Sequence, residues 1–370
     1  MATIATGGIP WLLTVGGELS KPWMPTGSTG SGAAREMGLN IPESIKHQLR
    51  SSARHDFEGV VHGYLAPFIP GLSRVATLRD LDRDGVDLVS LDDEFEIDVA
   101  IQCKGLESQF SDETKAACLD SIRKFRKSGR KAGSFRILVN RPIREADHRV
   151  EIEAALDALV ADGIVKSAQL MPFEKACRWL GELAIQWLKS ALEARWHCLR
   201  DDYAGRMGGK FHIDSVPCRW DDGSPTSDGP LSELLRSAEN YVSRIGGRDV
   251  PKRILLVGEF GFGKTTLLLR LFEHLDRTKF IPIYAPVTQF NDGAFSNEKM
   301  FVAAILAPLL EDVDWSADRN LSQLLRDALT HILRSDVPSA LLLDGLDEHP
   351  FLYRSDGIGT LMNCMGNFDS

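Results

Sequence analysis

Paired cysteines and long apolar runs are both missing from this chain of 370 residues. Its six cysteines stand at positions 103, 118, 177, 198, 218 and 364, and none of them belongs to a CxxC pair. This spacing indicates neither a zinc site nor a disulfide framework, and reduced thiols in a cytoplasmic protein are the simplest interpretation. No apolar run reaches the about 18 residues that a membrane span requires, so we predict no membrane partner.

An excess of positive charge is also lacking. The formal net charge is −9, which argues against a surface that coats nucleic acid throughout, although a local basic patch remains open. The opening MATIATGGIPWLLTVGG has no positively charged segment and is not predicted to be a signal peptide. Residues 1–40 are rich in Gly, Ser, Thr and Pro, so we predict a flexible N-terminal arm.

The periodicity of apolar residues divides the rest of the chain into three parts. Residues 41–175 mix helical spacing with short apolar strands and predict one α/β domain. Residues 176–230 contain a long apolar-faced helix, or a pair of helices, and a polar segment rich in Gly, Asp, Ser and Pro, which predicts a helical linker. Residues 231–370 alternate strands with helices, which predicts a second α/β domain with a parallel sheet.

A glycine-rich stretch, RILLVGEFGFGKTTLLLRLF, follows an apolar strand and opens an apolar-faced helix. Its glycines, lysine and threonines have the GxxxxGK[ST] spacing of a phosphate-binding loop. Such a loop points backbone N–H groups at phosphate oxygens, while its lysine reaches the outer phosphates and its threonine ligates Mg²⁺. A chance glycine-rich turn is the alternative, but it does not explain the strand and the helix. We predict an ATP site at Gly258, Gly261, Gly263, Lys264, Thr265 and Thr266.

The segment SALLLDGLDE supplies acidic residues for the same site. Asp344 ends a strongly apolar strand, and ligands bind at the carboxyl ends of strands in open α/β sheets. We predict that Asp344 shares the Mg²⁺ of Thr265, and that Asp347 and Glu348 orient or deprotonate a water molecule. An acidic turn on a solvated surface is the alternative, but it does not explain why the acids cap so hydrophobic a strand.

The loop from Gly258 to Thr266, together with Asp344 to Glu348, resembles the motifs of the NACHT group of STAND nucleotide-binding switches. The resemblance covers residues 200–370 and implies a P-loop NTPase domain that forms homo-oligomers on activation. The chain ends 22 residues after Glu348, whereas members of the group continue with a further core strand, a sensor, a helical bundle and a ligand-sensing region. We therefore expect either an N-terminal portion with an incomplete sheet or an abbreviated protein that relies on a partner. The trigger, from a phage or another source, would be recognised by the part that is not in this sequence.

A second polar constellation lies in the stretch EIDVAIQCKG. Gln102 and Lys104 fall on one stripe of a strand, opposite Ile101 and Cys103, and a plain buried strand needs neither. A short polar loop joins this strand to GVDLVSL, so a β-hairpin can bring Asp87 against the pair. A carboxylate with a second oxygen ligand suits Mg²⁺, and a lysine suits phosphodiester hydrolysis. A surface hairpin with a solvated lysine is the alternative.

Neighbouring charges extend this hypothesis. Asp98 shares the stripe of Gln102 and Lys104, but at about 3.3 Å per residue it lies about 13 Å from Gln102, so Asp87 is the preferred ligand. Downstream, the run IRKFRKSGRK can neutralise DNA phosphates without reading sequence, although a solvated helix face is the alternative. The basic residues of this run are Arg123, Lys124, Arg126, Lys127, Arg130 and Lys131.

Asp87 followed by Gln102-Cys103-Lys104 resembles the signature of the restriction-endonuclease-like superfamily in its Mrr-like branch. That signature is an aspartate, then an acid or glutamine, one spacer and a lysine, and here glutamine stands where an acid is more usual. The resemblance covers residues 41–175 and implies an α/β/α nuclease domain that acts on double-stranded DNA. It also implies that Asp87 and Gln102 hold Mg²⁺, that Lys104 serves the attacking water, and that Glu58 lies near the metal.

Together the two resemblances imply a prokaryotic antiviral defence effector, in which an ATP-gated oligomerising switch activates a Mg²⁺-dependent DNA endonuclease. Two other functions remain open. The chain can be a modification-dependent restriction enzyme whose NTPase drives movement on DNA. Alternatively, the nuclease-like domain is catalytically inactive and serves as a DNA-binding or adaptor module.

Overall fold

The computed structural model is α/β in the part of the chain that it describes. It describes residues 11–16, 39–75, 84–92, 96–206, 217–220, 227–230, 253–256, 265, 281–310, 319–334, 339–354 and 356–366. The strands are β1 Trp11–Gly16, β2 Ser73–Arg74, β3 Leu88–Leu91, β4 Ile97–Lys104, β5 Ala132–Val139, β6 Val165–Met171, β7 Pro217–Trp220, β8 Ser227–Pro230, β9 Arg253–Leu256, β10 Ile281–Pro286 and β11 Ser339–Asp344. The α-helices are α1 Glu43–Ser51, α2 Arg54–Leu65, α3 Asp112–Ser128, α4 Ala146–Ala161, α5 Phe173–Arg206, α6 Glu298–Leu310, α7 Arg319–Arg334 and α8 Gly357–Gly366.

The chain divides into two compact units. The first comprises Glu36–Ala184 with Arg319–Asp327, and the second comprises Met1–Arg35, Ile185–Asp318 and Ala328–Ser370. The first unit contains the whole of the predicted domain 41–175. The described helices include none that is long and apolar enough to cross a lipid bilayer.

A mixed sheet with the strand order β2–β3–β4–β5–β6 organises the first unit. β2, β3 and β4 pair antiparallel, whereas β4, β5 and β6 run parallel. The predicted hairpin is confirmed as β3–β4, with Leu88 opposite Ile101. Parallel neighbours need a crossover, and α3 and α4 supply the two that this sheet requires.

Helix α3 begins and ends at residues that are typical of helix ends. Ser111 is its N-cap and accepts a hydrogen bond from the Thr114 amide, while Gly129 follows its last residue in the left-handed region with φ 72°. One face of α3 packs on the sheet, and Phe125 is fully buried against Phe135 of β5. This apolar contact holds α3 against the middle of the sheet, and Ser121, one turn earlier in the helix, lies beside Lys104 at the carboxyl end of β4.

Helix α5 is a single helix of 34 residues, which is one of the two alternatives expected for the start of the linker. Two other segments differ from the expected structure. Inside the predicted helical linker, β7 pairs antiparallel with β8. In sequence, the intervening stretch DDGSPT has low helix propensity, which is why the predicted helical linker does not continue through these two strands. Within the predicted flexible arm, residues 11–16 form β1. The average composition of residues 1–40 hides the short apolar run WLLTV, which has strong strand propensity.

The second unit contains a sheet with the order β10–β11–β1–β9. β10 and β11 are parallel, as predicted. β1, however, runs antiparallel to both β11 and β9, so the expected all-parallel sheet is in fact mixed. The inserted strand makes main-chain bonds on both of its edges, which is why a strand of only six residues is held there.

Candidate functional site

The Asp87 carboxylate lies against the strand that carries Gln102 and Lys104. The backbone of Asp87 belongs to the sheet, because its amide donates to the Ile101 carbonyl at 2.9 Å. Its Oδ2 accepts one hydrogen bond from the Cys103 amide at 2.6 Å and another from Nε2 of Gln102. The carboxylate is therefore fixed to the backbone of β4, at the point where the sequence predicts a shared site.

The Gln102 amide has a defined orientation. Its side chain is buried, with 6% of its surface exposed. Nε2 faces two acceptors, Oδ2 of Asp87 and the Cys103 carbonyl at 3.3 Å, so the nitrogen rather than Oε1 must lie on this side. A cation bound at Asp87 therefore requires the amide to turn and present Oε1.

Lys104 ends β4 on the same stripe as Gln102. Its Nζ donates to Oγ of Ser121 on α3 at 3.1 Å. Ser121 is 6% exposed and in turn donates to the Ala117 carbonyl at 3.0 Å. The ammonium group is thus half-buried and held from the α3 side of the sheet.

The buried thiol of Cys103 lies close to the charged side chains of the site. Burial raises the pKa of this thiol well above its ordinary value. The carboxylates of Asp87 and Glu58 raise it further, while the cations of Lys104 and Arg74 act in the opposite direction. Two negative and two positive side chains therefore surround the end of β4.

Glu58 approaches from α2, on the side of β4 that carries Cys103. It is 8% exposed and accepts a hydrogen bond from Nε of Arg74 at 2.8 Å. Its partner is thus an arginine, and among the described contacts it bonds to none of the other predicted site residues. The close approach of α2 depends on Gly105, since a Cβ there would lie 2.5 Å from Cβ of Phe57.

Asn140, which the sequence-based interpretation missed, ties the surrounding segments together. It is 1% exposed and follows β5. Its Oδ1 accepts from the Leu106 amide at 2.8 Å, and its Nδ2 donates to the carbonyls of Ser52 at 2.6 Å and Leu106 at 3.1 Å. It therefore connects the turn before α2 with the segment after Lys104. The available signal was a polar residue at the carboxyl end of an apolar strand.

Asp98, the rival ligand, is exposed near the start of β4. Its backbone carbonyl would lie 2.7 Å from a Cβ at Gly133, which places it beside the start of β5. Its described contacts thus connect it with the opposite end of the strand from Gln102.

Most of the basic run is paired with carboxylates. Asp120 of the same helix pairs with both Arg123 and Lys124, at 3.3 and 3.0 Å. Arg126 pairs with Asp162, and Arg130 pairs with Asp84 at 2.7 Å. Sequence position alone hides this neutralisation, because Asp84 and Asp162 come from other elements. DNA binding by this surface stays a prediction.

The donor set at Asp87 and Gln102 suits a hard cation. Among the described residues, no group of three or more His, Cys, Asp or Glu is placed to hold a metal ion. A carboxylate and a carboxamide oxygen are nevertheless ligands that Mg²⁺ accepts, and the ion usually keeps several waters. The residues present therefore fit Mg²⁺ once the Gln102 amide has turned.

A second polar site lies at the carboxyl end of β11. Asp344 is 9% exposed, and its Oδ1 accepts from Oγ1 of Thr265 at 3.0 Å, while its Oδ2 accepts from the Tyr284 hydroxyl. Burial raises the pKa of Asp344, and the hydrogen bonds from Tyr284 and Thr265 oppose that rise. The structure thus brings together Asp344 and Thr265, the predicted magnesium-binding pair of the nucleotide site. The other predicted loop residues, Gly258, Gly261, Gly263, Lys264 and Thr266, lie outside the described residues.

The two acids after Asp344 lie in a short 3-10 helix, Leu346–Glu348. Asp347 is half-buried and Glu348 is exposed. The preceding Gly345 has φ 80°, and a Cβ there would lie 2.5 Å from the Thr288 side chain, so this turn requires glycine. Beyond the helix, the buried His349 donates from Nε2 to the Phe290 carbonyl at 2.9 Å, which anchors the loop.

Comparisons with protein-family models, with curated proteins and with solved structures gave no match to this chain. What the chain does has therefore to be inferred from the chemistry of these two polar sites.

Proposed function

We propose that the first unit is a Mg²⁺-dependent DNA endonuclease of the restriction-endonuclease-like type, controlled by a P-loop NTPase of the NACHT type in the second unit. One observation carries the proposal. The Asp87 carboxylate, the Gln102 amide and the backbone of Cys103 are joined by hydrogen bonds directly beside Lys104. The alternation of β4 puts Gln102 and Lys104 on one stripe, so a cation site and a fixed ammonium group are neighbours.

Each side chain has a role that its contacts support. Asp87 and Gln102 offer oxygen ligands, and Mg²⁺ bound there supplies charge neutralisation on the scissile phosphate and a more acidic water. Lys104 places its ammonium group beside the developing negative charge and orders the attacking water. The water oxygen bonds to phosphorus, the P–O bond to the leaving oxygen breaks, and a water proton ends on that oxygen. Glu58 and Arg74 balance the charge on the far side of β4.

In the second unit, Thr265 and Asp344 support the binding of Mg-ATP. Thr265 already bonds to Asp344 through the oxygen atoms that would share one magnesium ion. Asp347 and Glu348 follow on a glycine turn, where Glu348 is the base for the water and Asp347 assists it. In this proposal, ATP binding favours a homo-oligomer that clusters nuclease units on DNA, and the protein serves as a prokaryotic antiviral defence effector.

Plasmid cleavage tests the nuclease proposal. Purified protein, carrying the trigger-sensing part where the natural protein has one, is incubated with supercoiled plasmid, ATP and Mg²⁺. We expect cleavage that EDTA abolishes and that Asp87→Asn or Lys104→Ala lowers at least about a hundredfold. Asp98→Asn is the matched control, because it removes an exposed carboxylate from the same strand and should cleave like the wild type. Intact DNA under these conditions, or full activity of Lys104→Ala, would refute the nuclease assignment.

The same assay separates the two other functions. An NTPase motor predicts ATP turnover that rises when DNA is added, whereas a switch needs no DNA for turnover. An adaptor module predicts DNA binding in gel-shift experiments without any cleavage.

Isothermal titration with ATP tests the nucleotide site. Lys264→Ala and Thr265→Ala should abolish or strongly weaken ATP binding while the circular dichroism spectrum stays unchanged. Unchanged ATP affinity in both variants would place the nucleotide elsewhere.

A further inference from the structure

One turn of α3 lies against Lys104 at the end of β4 and against the segment that leads to Asp87. Ser121 lies in this turn and is 6% exposed. Its hydroxyl has a single proton, which it donates to the Ala117 carbonyl at 3.0 Å. The lone pairs of Oγ are therefore left for Lys104, whose Nζ lies 3.1 Å away and can only donate.

The same turn also lies against Gly85, three residues before β3 begins. Gly85 has φ 76°, and a Cβ there would lie 2.7 Å from the backbone carbonyl oxygen of Ser121. Glycine thus allows the helix backbone to approach the chain two residues before Asp87. A single backbone turn therefore fixes the position of the Asp87 segment and, through Oγ of Ser121, the position of the Lys104 ammonium group.

We propose that Ser121 is a positioning residue for Lys104, an inference that rests on the proposed nuclease function. A lysine side chain loses rotamer freedom when its ammonium group is held in one place, and an acceptor that already holds Nζ in the free enzyme removes that cost from the reaction step. Ser121 binds one of the three Nζ protons and leaves the others for the phosphate or the water. A serine that merely bonds to the carbonyl four residues earlier would have no such effect on Lys104.

A double-mutant cycle on plasmid cleavage tests this coupling. We expect Ser121→Ala to lower kcat about tenfold with little change in the KM for DNA, because the lost contact acts on the reacting groups. In the Lys104→Ala background the same substitution should have no further effect. Ser121→Thr retains the hydroxyl and should recover most of the rate. Ser128→Ala is the matched control, since its hydroxyl also bonds within α3, to the Phe125 carbonyl at 2.7 Å. Equal losses from Ser121→Ala with and without Lys104 would overturn the proposal.

A second measurement needs neither DNA nor metal. In ¹⁵N-lysine-labelled full-length protein, the Lys104 ammonium signal, assigned from its loss in Lys104→Arg, should exchange slowly with water. Ser121→Ala should accelerate that exchange at least about fivefold, whereas Ser128→Ala should not, since hydrogen bonding protects the ammonium protons. An unchanged exchange rate overturns the inference even if the enzyme cleaves DNA. If the wild-type protein cleaves no DNA, that result overturns the proposed function and the catalytic part of this inference. The exchange rate then still decides whether Ser121 holds the Lys104 ammonium group.

Discussion

Replacing Gln102 with glutamate tests the geometry of the candidate metal site directly. In the structure, Nε2 of Gln102 donates to Oδ2 of Asp87 and to the Cys103 carbonyl. Gln102→Glu exchanges this donor for a carboxylate oxygen of almost the same shape. Two carboxylates and a carbonyl then face one another at a buried position, while the same oxygens form a better cation site than the wild type has.

The magnitude follows from the lost contact. A hydrogen bond to a charged group contributes about 1.5–3 kcal/mol, and the new like-charge contact adds to that loss. We therefore expect the metal-free variant to lose about 3 kcal/mol of unfolding free energy. For a unit of this size that corresponds to a Tm lower by about 6–12 °C. Saturating Mg²⁺ should recover most of the loss, because binding to the folded state alone adds stability.

The pH dependence has a defined sign. Two adjacent carboxyl groups raise the pKa of the pair in the folded state, so the folded variant binds more protons than the unfolded chain. The deficit of the metal-free variant should therefore be small near pH 4 and should grow as the pH rises toward 7.

Differential scanning fluorimetry with EDTA or Mg²⁺ measures these effects. Gln169→Glu is the matched control, because it makes the same charge change at an exposed position of β6 in the same sheet. Two results would refute a cation site at Asp87. One is an equal change of Tm in the two variants, and the other is a Tm of Gln102→Glu that does not change when Mg²⁺ is added.

Three further predictions concern other parts of the chain. Asn140→Asp points a carboxylate at the carbonyls of Ser52 and Leu106. Urea unfolding should therefore show that the unfolding free energy falls by about 3 kcal/mol or more at pH 7.5, and by less at pH 5, where protonation restores a donor. Equal losses at both pH values would contradict this prediction. Tyr284→Phe removes a hydrogen bond that opposes the raised pKa of Asp344, and the pKa of Asp344 should therefore rise further. The Tm of the variant should then fall more steeply than that of the wild type as the pH increases above about 4. Parallel curves of Tm against pH would argue against this prediction. A plot of the logarithm of the DNA-binding constant against the logarithm of the salt concentration should have a slope of about −2. The reason is that only Lys127 and Lys131 of the basic run form no ion pair within the described chain. A slope near −5 would mean that the paired cations also contact phosphate.

Local pattern was sufficient to predict the hairpin that carries the site. Alternation along β4 separates Gln102 and Lys104 from Ile101 and Cys103, and the acidic loop before it indicates the turn. The spacing from Asp87 then places its carboxylate next to the pair, where the structure has it. No local pattern indicates that the Cys103 carbonyl fixes the orientation of the Gln102 amide, because that depends on an exact hydrogen-bond geometry.

The rest depends on contacts between residues that are far apart in the sequence. Lys104 meets Ser121 only because α3 crosses back over β4, and Glu58 meets Arg74 only because β2 joins the sheet. The basic run looks unpaired in sequence, yet Asp84 approaches it from 46 residues away. In the second unit, the pairing of β1 with β9 and β11 joins segments more than 200 residues apart, and no periodicity reports such a partner.

The register of β3 against β4 specifies the fold and the site together. Leu88 pairs with Ile101, and both are fully buried. Moving β4 by one residue would turn Ile101 and Cys103 toward α3 and would direct Gln102 and Lys104 into the apolar layer beneath α2. Such a slip would move the Lys104 ammonium group away from Ser121 and would break the bond from the Cys103 amide to Asp87. Burial of the apolar stripe of β4 therefore selects the register in which the polar stripe faces Asp87.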